Sequence, residues 1–382
     1  MRKVFYVTGT RADFGLMRHV LQMVHAHPSL TLQIAVTGMH LIPAFGSTVR
    51  EIEASGLPIV ARVPTSVGER TPPAMARGIG ELVIGLTQAL SLHQPDLMLL
   101  IGDRGEMLAG AIAALHFGVP IVHLHGGERS GTVDEPVRHA ITKLSHWHFV
   151  ATEESRTRVI QMGEKPADVW VTGAPSLDHL HDLENLPRSQ VLETLHLPHG
   201  ARYLLILFHP VVQEAQSAYQ QTKLLAHELG KFVDQDDLHI VWLAPNADGG
   251  SGEIVRALDE LQETFGAALH RIVHLPRDDY LAALRHADLL IGNSSSGIIE
   301  AASLGTPVVN IGNRQRARER NVNTLDCPVE SEPIRIAIGQ ALSRGRYVPA
   351  NRYGDGHAAE RIVELLATQP IRDDLLDKIN TY

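Results

Sequence analysis

Short, uninterrupted apolar runs recur along the first half of the chain and predict buried strands. They read VFYVT, LQIAVT, LMLLI, VPIVHL, WHFVAT and VWVTG. Runs that are apolar at every position are typical of parallel strands covered on both faces. Helical patterns separate these runs, as where Leu82, Leu86 and Leu90 recur on one helix face. This alternation of strands and helices predicts an open, doubly wound α/β sheet.

A second series of strands follows a polar, proline-bearing segment between Asp178 and Gly200. Its runs read YLLILF, HIVWLA, RIVHL, DLLIG and PVVNIG, and helical stretches lie between them around Tyr219–Leu229, Glu253–Glu263 and Asp279–His286. We therefore predict two α/β domains of similar size, residues 1–178 and 179–355. The last segment, residues 356–382, contains a helical run. Its pattern is compatible with packing on either domain, and we expect it to pack on the first. Ligands of such sheets bind beyond the carboxyl ends of the strands, often in the cleft between two domains.

Composition limits the partners and the compartment. A chain of 382 residues exceeds what one hydrophobic core usually holds, which supports two domains. The net charge of −9 gives no electrostatic reason to bind nucleic acid or an anionic membrane. The single cysteine, Cys327, has no partner for an internal disulfide. The apolar run at the N-terminus is too short for a leader or a membrane span, so we expect a cytoplasmic protein.

The loop after the first strand, TGTRADFG, has the chemistry of an anion site. Gly9 and Thr10 form a compact turn whose amides can face an anion at a helix N-terminus, and Arg11 adds positive charge. The loop is not GxGxxG and lacks the Walker lysine, so the ordinary dinucleotide and P-loop interpretations fail. A plain polar turn between strand and helix is the structural alternative.

A second loop, GNSSSGIIE, predicts a diphosphate site. Its strand ends at Gly292 and a helix is expected to start near Gly297, which leaves free amide donors. Glu300, one turn into that helix, is placed to accept hydrogen bonds from ribose hydroxyls. The alternative is a helix N-cap with spare serines. The hydroxyls of this loop belong to Ser294, Ser295 and Ser296.

Three further strand-end loops carry candidates for proton transfer. In GDRGEM, Asp103 stands where a catalytic carboxylate is well placed, although it would also serve as the N-cap of the next helix. In HLHGGERSGTVDEPVRH the candidates are His125, Glu128 and Asp134. His209, in FHPV, is placed to assist a leaving phosphate, although a His–Pro pair is more often a turn.

The histidines of this region do not predict a metal site. His123 and His125 alternate along a strand and should point to opposite faces. His139, His146 and His148 lack the three- or four-residue pairing of helical zinc ligands, and no cysteine assists them. We expect no metal, and structural roles for His146 and His148.

Taken together, these motifs resemble those of the hydrolysing UDP-N-acetylglucosamine 2-epimerases of sialic acid biosynthesis. The motifs that carry the resemblance cover nearly the whole chain and are, in order, TGTRADFG, GDRGEM, HLHGGE, VDEPVRHAITKLSH, ATEESRTRVIQMGEKP, FHPV, PNADGGS, GNSSSGIIEAASLGTPVVNIGNRQRAR and YGDG. The resemblance implies a GT-B architecture, with two Rossmann-like domains facing the active site, and assembly into homodimers or homotetramers. It implies conversion of UDP-N-acetylglucosamine and water into N-acetylmannosamine and UDP, through a glycal, without metal or cofactor.

Matching the motifs also implies roles for individual residues. The UDP group would be held by Arg11, Ala12, Arg104, His209, Asn246, Leu275, Ser294, Ser295, Ser296, Glu300, Arg314 and Arg318. The sugar and the bond that breaks would be surrounded by Asp103, His125, Glu128, Asp134 and His209. Some relatives have Glu where this chain has His125, which leaves the identity of the first base open. Arg316 and Arg320 are expected in a solvated basic loop.

Three alternatives stay open on the sequence alone. Related hydrolysing enzymes of legionaminic acid pathways share these motifs and take a UDP- or GDP-linked 2,4-diacetamido-2,4,6-trideoxy sugar. A retaining glycosyltransferase of the same architecture would need an acceptor and would leave the proton beside the amide in place. A non-catalytic module would bind a nucleotide sugar without releasing product, and the carboxylates of Asp103, Glu128 and Asp134 argue against it.

Overall fold

Two parallel β-sheets form the frame of the molecule. A computed structural model describes residues 1–69, 71–130, 134–178, 180, 186–236, 238–245 and 248–381. The first sheet has seven strands in the order β3-β2-β1-β4-β5-β6-β7 among these residues. Its strands are β1 (Arg2–Thr8), β2 (Leu30–Thr37), β3 (Ile59–Val63), β4 (Leu97–Ile101), β5 (Ile121–Leu124), β6 (Trp147–Val150) and β7 (Val169–Val171). The helices between them are α1 (Arg11–Ala26), α2 (Val49–Ala54), α3 (Pro72–His93), α4 (Gly105–His116), α5 (Asp134–Leu144) and α6 (Glu153–Gln161).

The second sheet repeats this plan with six strands among the described residues, in the order β10-β9-β8-β11-β12-β13. Its strands are β8 (Arg202–Leu207), β9 (Leu238–Leu243), β10 (Leu269–Ile272), β11 (Leu289–Gly292), β12 (Val308–Ile311) and β13 (Thr324–Cys327). The accompanying helices are α7 (Arg188–Thr194), α8 (Ala218–Asp236), α9 (Ser251–Phe265), α10 (Arg277–His286), α11 (Ser295–Ile298), α12 (Glu300–Ser303) and α13 (Ser331–Arg344). A last helix, α14 (Ala358–Thr368), follows the second sheet in the chain. The predicted pair of doubly wound parallel sheets is confirmed.

Strand β1 shows why the central strands are apolar at every position. Val4 and Tyr6 belong to a core shared with α1 and α14, whereas Phe5 and Val7 belong to a core shared with α3 and α4. Since both faces of the sheet are covered by helices, every side chain from Val4 to Thr8 is buried, whereas Arg2 and Lys3 at the start of the strand are partly exposed. The continuous apolar run is therefore the signature of a layer between two cores.

Two strands were not predicted from the sequence, and both lie at sheet edges. Ile59–Val63 closes one edge of the first sheet and Thr324–Cys327 closes one edge of the second. Val63 is the only buried residue of the first of these strands, and Cys327 is the only buried residue of the second. An edge strand has solvent along one side, so it does not need a continuous apolar run.

The C-terminal segment returns to the first sheet. Ile362 and Leu366 of α14 are buried in the same core as α1. Asp178, at the end of the first predicted domain, caps this helix by accepting hydrogen bonds from the amides of Ala358 and Ala359, at 2.9 and 2.5 Å. The strands of the two sheets occupy residues 2–171 and 202–327, and the predicted boundary at 178/179 falls between these ranges.

No helix in the described part of the chain combines the length and the apolar character that crossing a bilayer requires.

Candidate active site

The candidate site lies where the topological switch points of the two sheets face each other. In each sheet the strand order reverses between two central strands, β1 and β4 in the first and β8 and β11 in the second. The loops after these four strands are TGTRADFG, GDRGEM, FHPV and GNSSSGIIE. Crevices at such points are the usual ligand sites of open α/β sheets. The strand-end loops singled out on sequence grounds therefore meet in one cleft.

Two adjoining cavities fill this cleft, one of about 400 Å³ and one of about 210 Å³. Residues that line both are Arg11, Ala12, Leu16, His209, Ser294, Ser295 and Glu300. Leu275 and Ser296 line the larger cavity. Candidates that line only the smaller cavity are Asp103, Arg104, His125, Glu128, Arg314 and Arg318. Asp134 borders it through Arg314, whose Nη2 lies 3.7 Å from Asp134 Oδ2, and Asn246 lies outside the described residues.

A buried arginine that the sequence analysis missed organises the smaller cavity. Arg138, on α5, has no exposed surface and contacts the carboxylate of Asp103 through Nη2. Its Nη1 donates to the carbonyl of Glu128 at 2.9 Å. A buried guanidinium needs such partners because removing its charge from water is costly. Asp103 is thus held toward the cavity by an ion pair and is not the N-cap of α4, whose cap position belongs to Arg104.

The carboxylate of Glu128 contacts an imidazole with one oxygen and a guanidinium with the other. One of its carboxylate oxygens, Oε1, contacts His125 Nδ1, and the other, Oε2, contacts Arg318 Nη1. All three side chains have at most 9% of their surface exposed. The pairing with Arg318 favours the ionised form of Glu128, which is then an acceptor for the imidazole N–H.

His125 departs from the predicted strand geometry. Strand β5 ends at Leu124, and His125 has a φ of 63°, in the left-handed region. It therefore does not simply alternate with His123 along a strand, as was predicted. Burial, assisted by the charge of Arg318, lowers the pKa of His125 to about 3, so the ring is neutral.

His209 is held by a reciprocal pair of backbone contacts. Asn293, just after β11, accepts from the His209 amide and donates to the His209 carbonyl, both at 2.8 Å. Burial and the nearby charges of Arg314 and Arg11 lower the pKa of His209 well below its usual range. A neutral imidazole thus sits at the junction of the two cavities.

The serine loop begins a helix earlier than predicted. Ser294 is the N-cap of α11, and its hydroxyl accepts from the Ser296 amide at 3.4 Å. The helix covers only Ser295–Ile298 and breaks at Ile299 before α12 begins at Glu300. The helix therefore starts two residues before the expected position near Gly297, and Ser294 and Ser295 line both cavities.

The amides of Gly9 and Thr10 in the TGTRADFG turn are not available to an anion. Thr10 and Asp13 form a capping box, and the amides of Gly9 and Thr10 donate to Asp13 Oδ2 at 3.2 and 2.8 Å. The prediction of an anion site on these amides is therefore wrong, because the chain supplies its own carboxylate. Burial raises the pKa of Asp13 to about 6, against the lowering effect of its hydroxyl partners.

Arg11 reaches across the cleft instead of standing over the turn. Its Nη1 contacts the carbonyl of Val273, and its Nη2 donates to the carbonyl of Ala244 at 3.2 Å. Both carbonyls lie just beyond strands of the second sheet, so Arg11 connects the two halves of the molecule. It lines both cavities from this position.

Two further charged candidates are already paired. Arg104 lies 3.3 Å from Glu106 and 3.5 Å from Asp248. Burial lowers the pKa of Arg104, but these carboxylates outweigh burial and raise it. Glu300 accepts from Arg277 at 2.7 Å with its side chain 3% exposed.

The remaining basic and imidazole groups have structural roles. Arg316 is exposed as expected, but Arg320 is bound to Asp326 at 2.8 Å and is not simply solvated. His148 lies 3.0 Å from Glu164, and His146 Nδ1 accepts from the Ile121 amide at 3.0 Å. Within the ranges that the structure describes, no group of three or more His, Cys, Asp or Glu side chains is arranged to hold a metal ion.

Two facing Rossmann-like sheets with a polar cleft between their switch points define a protein of GT-B-type fold. The sequence profile of the family described as UDP-N-acetylglucosamine 2-epimerase matches residues 22–367, and the chain belongs to this family. It is 44% identical over 383 residues, covering 100% of both chains, to a "UDP-N,N'-diacetylbacillosamine 2-epimerase (hydrolyzing)" of Legionella pneumophila. It is 33% identical over 371 residues, 96% of this chain and 95% of the other, to a UDP-N-acetylglucosamine 2-epimerase of Neisseria meningitidis.

Solved structures agree on the fold. The UDP-GlcNAc 2-epimerase from Neisseria meningitidis bound to UDP-GlcNAc superposes with a TM-score of 0.77 at 19% identity, covering 95% of this chain and 99% of that one. The Methanocaldococcus jannaschii UDP-GlcNAc 2-epimerase in complex with UDP-GlcNAc and UDP gives 0.77 at 17% identity, with 95% and 99% covered.

Proposed function

We propose that this protein is a hydrolysing 2-epimerase of a UDP-linked 2-acetamido sugar. The observation that carries the proposal is the continuity of the cleft. Asp103, His125 and Glu128 line a cavity that adjoins, through His209 and the serine loop, a larger cavity between the sheets. Acid–base groups at one end and diphosphate-binding groups at the other match the two ends of a nucleotide sugar.

The reaction is an elimination followed by a hydration. A base takes the proton from the sugar carbon that bears the acetamido group, and those electrons form a double bond to the anomeric carbon. The bond between the anomeric carbon and oxygen breaks with its electron pair, and UDP leaves. Water then supplies hydroxide to the anomeric carbon and a proton returns to the neighbouring carbon from the opposite face. The net change is hydrolysis with inversion at the amino-bearing carbon.

The charges of the cleft suit this chemistry. A weak carbon acid needs a base in a site that excludes bulk water, and Glu128 and His125 are almost fully buried. A departing diphosphate needs donors already in place, which Arg314 and the serine hydroxyls supply. We assign Leu275 and Ser296 to the nucleoside end, because they line only the larger of the two cavities.

Two sugars compete as substrate. The sequence motifs predict UDP-N-acetylglucosamine first and a diacetamido-trideoxy sugar second. The relative from Legionella pneumophila, matched over its whole length at 44% identity, is named for UDP-N,N'-diacetylbacillosamine, and the Neisseria relative at 33% is named for UDP-N-acetylglucosamine. The greater similarity to the former favours the diacetamido sugar, and we place it ahead. Assembly as a homodimer or homotetramer stays a prediction.

Side-by-side turnover tests the proposal. The purified protein is incubated with UDP-N,N'-diacetylbacillosamine and, separately, with UDP-N-acetylglucosamine, and UDP and the free sugar are quantified by chromatography. We expect UDP and a manno-configured free sugar without any added acceptor, with the higher kcat/KM for the diacetamido substrate. Turnover that requires an acceptor would indicate a glycosyltransferase, and UDP binding without product would indicate a binding module.

A further inference from the structure

His125 is distinguished by a ring nitrogen that has no hydrogen-bond partner among the described residues. Its Nδ1 faces Glu128, whereas its Nε2 is buried with no partner in the part of the chain that the structure describes. Because Glu128 is an ionised acceptor paired with Arg318, the single proton of the neutral ring belongs on Nδ1. Nε2 therefore carries a buried lone pair on a residue that lines the smaller cavity.

The backbone fixes the ring in this position. A φ of 63° is uncommon for any residue but glycine and persists only where the surroundings enforce it. The amide of His125 donates to the Phe149 carbonyl of the neighbouring strand at 3.1 Å. At the other end of the turn, Arg138 holds the carbonyl of Glu128 at 2.9 Å. Strained backbone of this kind is found at functional sites more often than elsewhere.

We propose that His125 Nε2 is the base that takes the proton from the carbon bearing the acetamido group, and that Glu128 and Arg318 position it. This inference rests on the proposed function and names a catalytic residue within it. The proton passes to Nε2, the carbon–hydrogen electron pair forms the double bond, and UDP leaves with the electrons of the anomeric carbon–oxygen bond. Glu128 then faces an imidazolium and stabilises it, as the carboxylate of a catalytic triad does.

The charges around the ring are consistent with this role. Burial and Arg318 disfavour the imidazolium of free His125, whereas Glu300 favours it. The ring is therefore neutral, with its Nε2 lone pair unprotonated, at every pH where the protein would be assayed, and it needs a nearby negative charge to hold a proton. Glu128, whose carboxylate contacts Nδ1 directly, supplies the charge that an imidazolium needs once the proton arrives.

Two variants separate a base from a structural histidine. Asn tolerates left-handed backbone and has no basic nitrogen, so His125→Asn should lower product formation and deuterium uptake from heavy water by about 100-fold or more. Affinity for UDP, measured by calorimetry, should stay within about twofold because the nucleotide groups are untouched. His125→Gly relaxes the backbone and leaves room for imidazole, so added imidazole should restore at least about tenfold of the lost rate. Asp103→Asn, treated with the same imidazole, should not be restored.

A spectroscopic measurement tests the ring without turnover. In ¹⁵N-labelled protein, His125 should show the tautomer protonated on Nδ1, and the Nε2-protonated tautomer would contradict the proposal. Turnover of His125→Asn within about threefold of wild type would overturn it, and so would a loss that imidazole does not restore, which would assign a structural role. In both cases wild-type turnover would leave the proposed function intact. That function fails if the wild-type protein converts neither sugar nucleotide into UDP and a free manno-configured sugar.

Discussion

Buried charge pairs decide what each polar side chain in the cleft is able to do. Arg138 pairs with Asp103, Arg318 pairs with Glu128, and Arg277 pairs with Glu300. Each carboxylate is thereby held in a fixed position beside a positive charge. Breaking such a pair leaves one buried charge without compensation, which is why these arginines matter as much as the acids.

Asp103 and His209, which we propose to flank the bond that breaks, should be required for turnover. Asp103→Asn removes a negative charge that Arg138 holds at the cavity, and His209→Ala removes the imidazole at the junction of the cavities. Each variant should lose at least about tenfold in kcat, since general acid–base groups contribute at least that much. Steady-state assays with circular dichroism as a folding control check this. Unchanged rates would remove these residues from the site.

The pH dependence of stability should report the carboxyl of Asp13. Its pKa of about 6 in the folded protein is above the ordinary 3.8, so the folded state binds a proton more tightly than the unfolded chain. The stabilisation is complete below about pH 4 and is lost as the pH rises through 6. Relative to Asp13→Asn, wild type should therefore lose on the order of 3 kcal/mol between pH 4 and 7 in urea unfolding. A difference that does not change with pH would contradict this.

For individual residues, the sequence predicted which side chains lie together in the cleft but not which side chains they pair with. Asp103, His125 and Glu128 could be predicted from strand-end positions, because strand ends of parallel sheets converge. Arg138 could not, since a helix pattern does not show that an arginine within it is buried against a distant Asp. Asp13 was missed although Thr10 and Asp13 have the spacing of a capping box, a signal that was present in the sequence.

Burial explains which secondary-structure elements could be predicted from the sequence. Central strands such as Leu97–Ile101 are covered on both faces and matched the predicted run residue for residue. The edge strands Ile59–Val63 and Thr324–Cys327 were missed because their partial exposure breaks the apolar run. The start of α11 was expected near Gly297 but lies at Ser295, because each of the three serines before Gly297 is a suitable N-cap and the pattern does not show which one is used.

Gly292 should be indispensable to the junction of β8 and β11. It pairs with Leu207, has a φ of 144°, and an added Cβ would lie 2.0 Å from the Leu207 carbonyl. We expect Gly292→Ala to lower the free energy of unfolding by on the order of 3 kcal/mol or more and to weaken UDP binding, because strand separation would displace the serine loop. Chemical denaturation and calorimetry measure both.

Gly339→Ala is the matched control for that substitution. Gly339 lies inside helix α13, and nothing stands within 4 Å of an added Cβ. The helix propensity of Ala should raise stability by roughly 0.5–1 kcal/mol. Equal effects of the two substitutions would show that the close approach at Gly292 has no energetic consequence.

The C-terminal segment should stabilise the first half of the molecule through Lys378. Its ammonium donates to the carbonyls of Thr142, Lys143 and Ser145 at 3.1, 2.8 and 2.5 Å, at the end of helix α5. Lys378→Met should cost about 2 kcal/mol, since hydrogen bonds to a charged group are lost and the carbonyls stay buried. Thermal unfolding checks this. Lys165→Met is the control, because its ammonium lies 4.0 Å from Asp374 in an exposed ion pair and the substitution should change stability by less than about 0.5 kcal/mol.

Across the whole molecule, polar contacts join the two halves over the cleft. Arg11 contacts the Val273 carbonyl, Arg18 lies 3.0 Å from Asp278, and Glu51 contacts His274. All link helices of the first sheet to the loop and helix that follow β10. Residues so far apart in the chain leave no local signal, so the sequence predicted two halves with a cleft but not how the halves are held together.

We propose that groups in this cleft remove a proton from the acetamido-bearing carbon of a UDP-linked sugar, and that UDP and the free sugar are released. Proton NMR of the reaction in heavy water tests it most directly, with each of the two candidate sugar nucleotides. We expect UDP and a free manno-configured sugar that carries one deuterium at the carbon bearing the acetamido group. A gluco-configured product, or a product that keeps protium at that carbon, would contradict it.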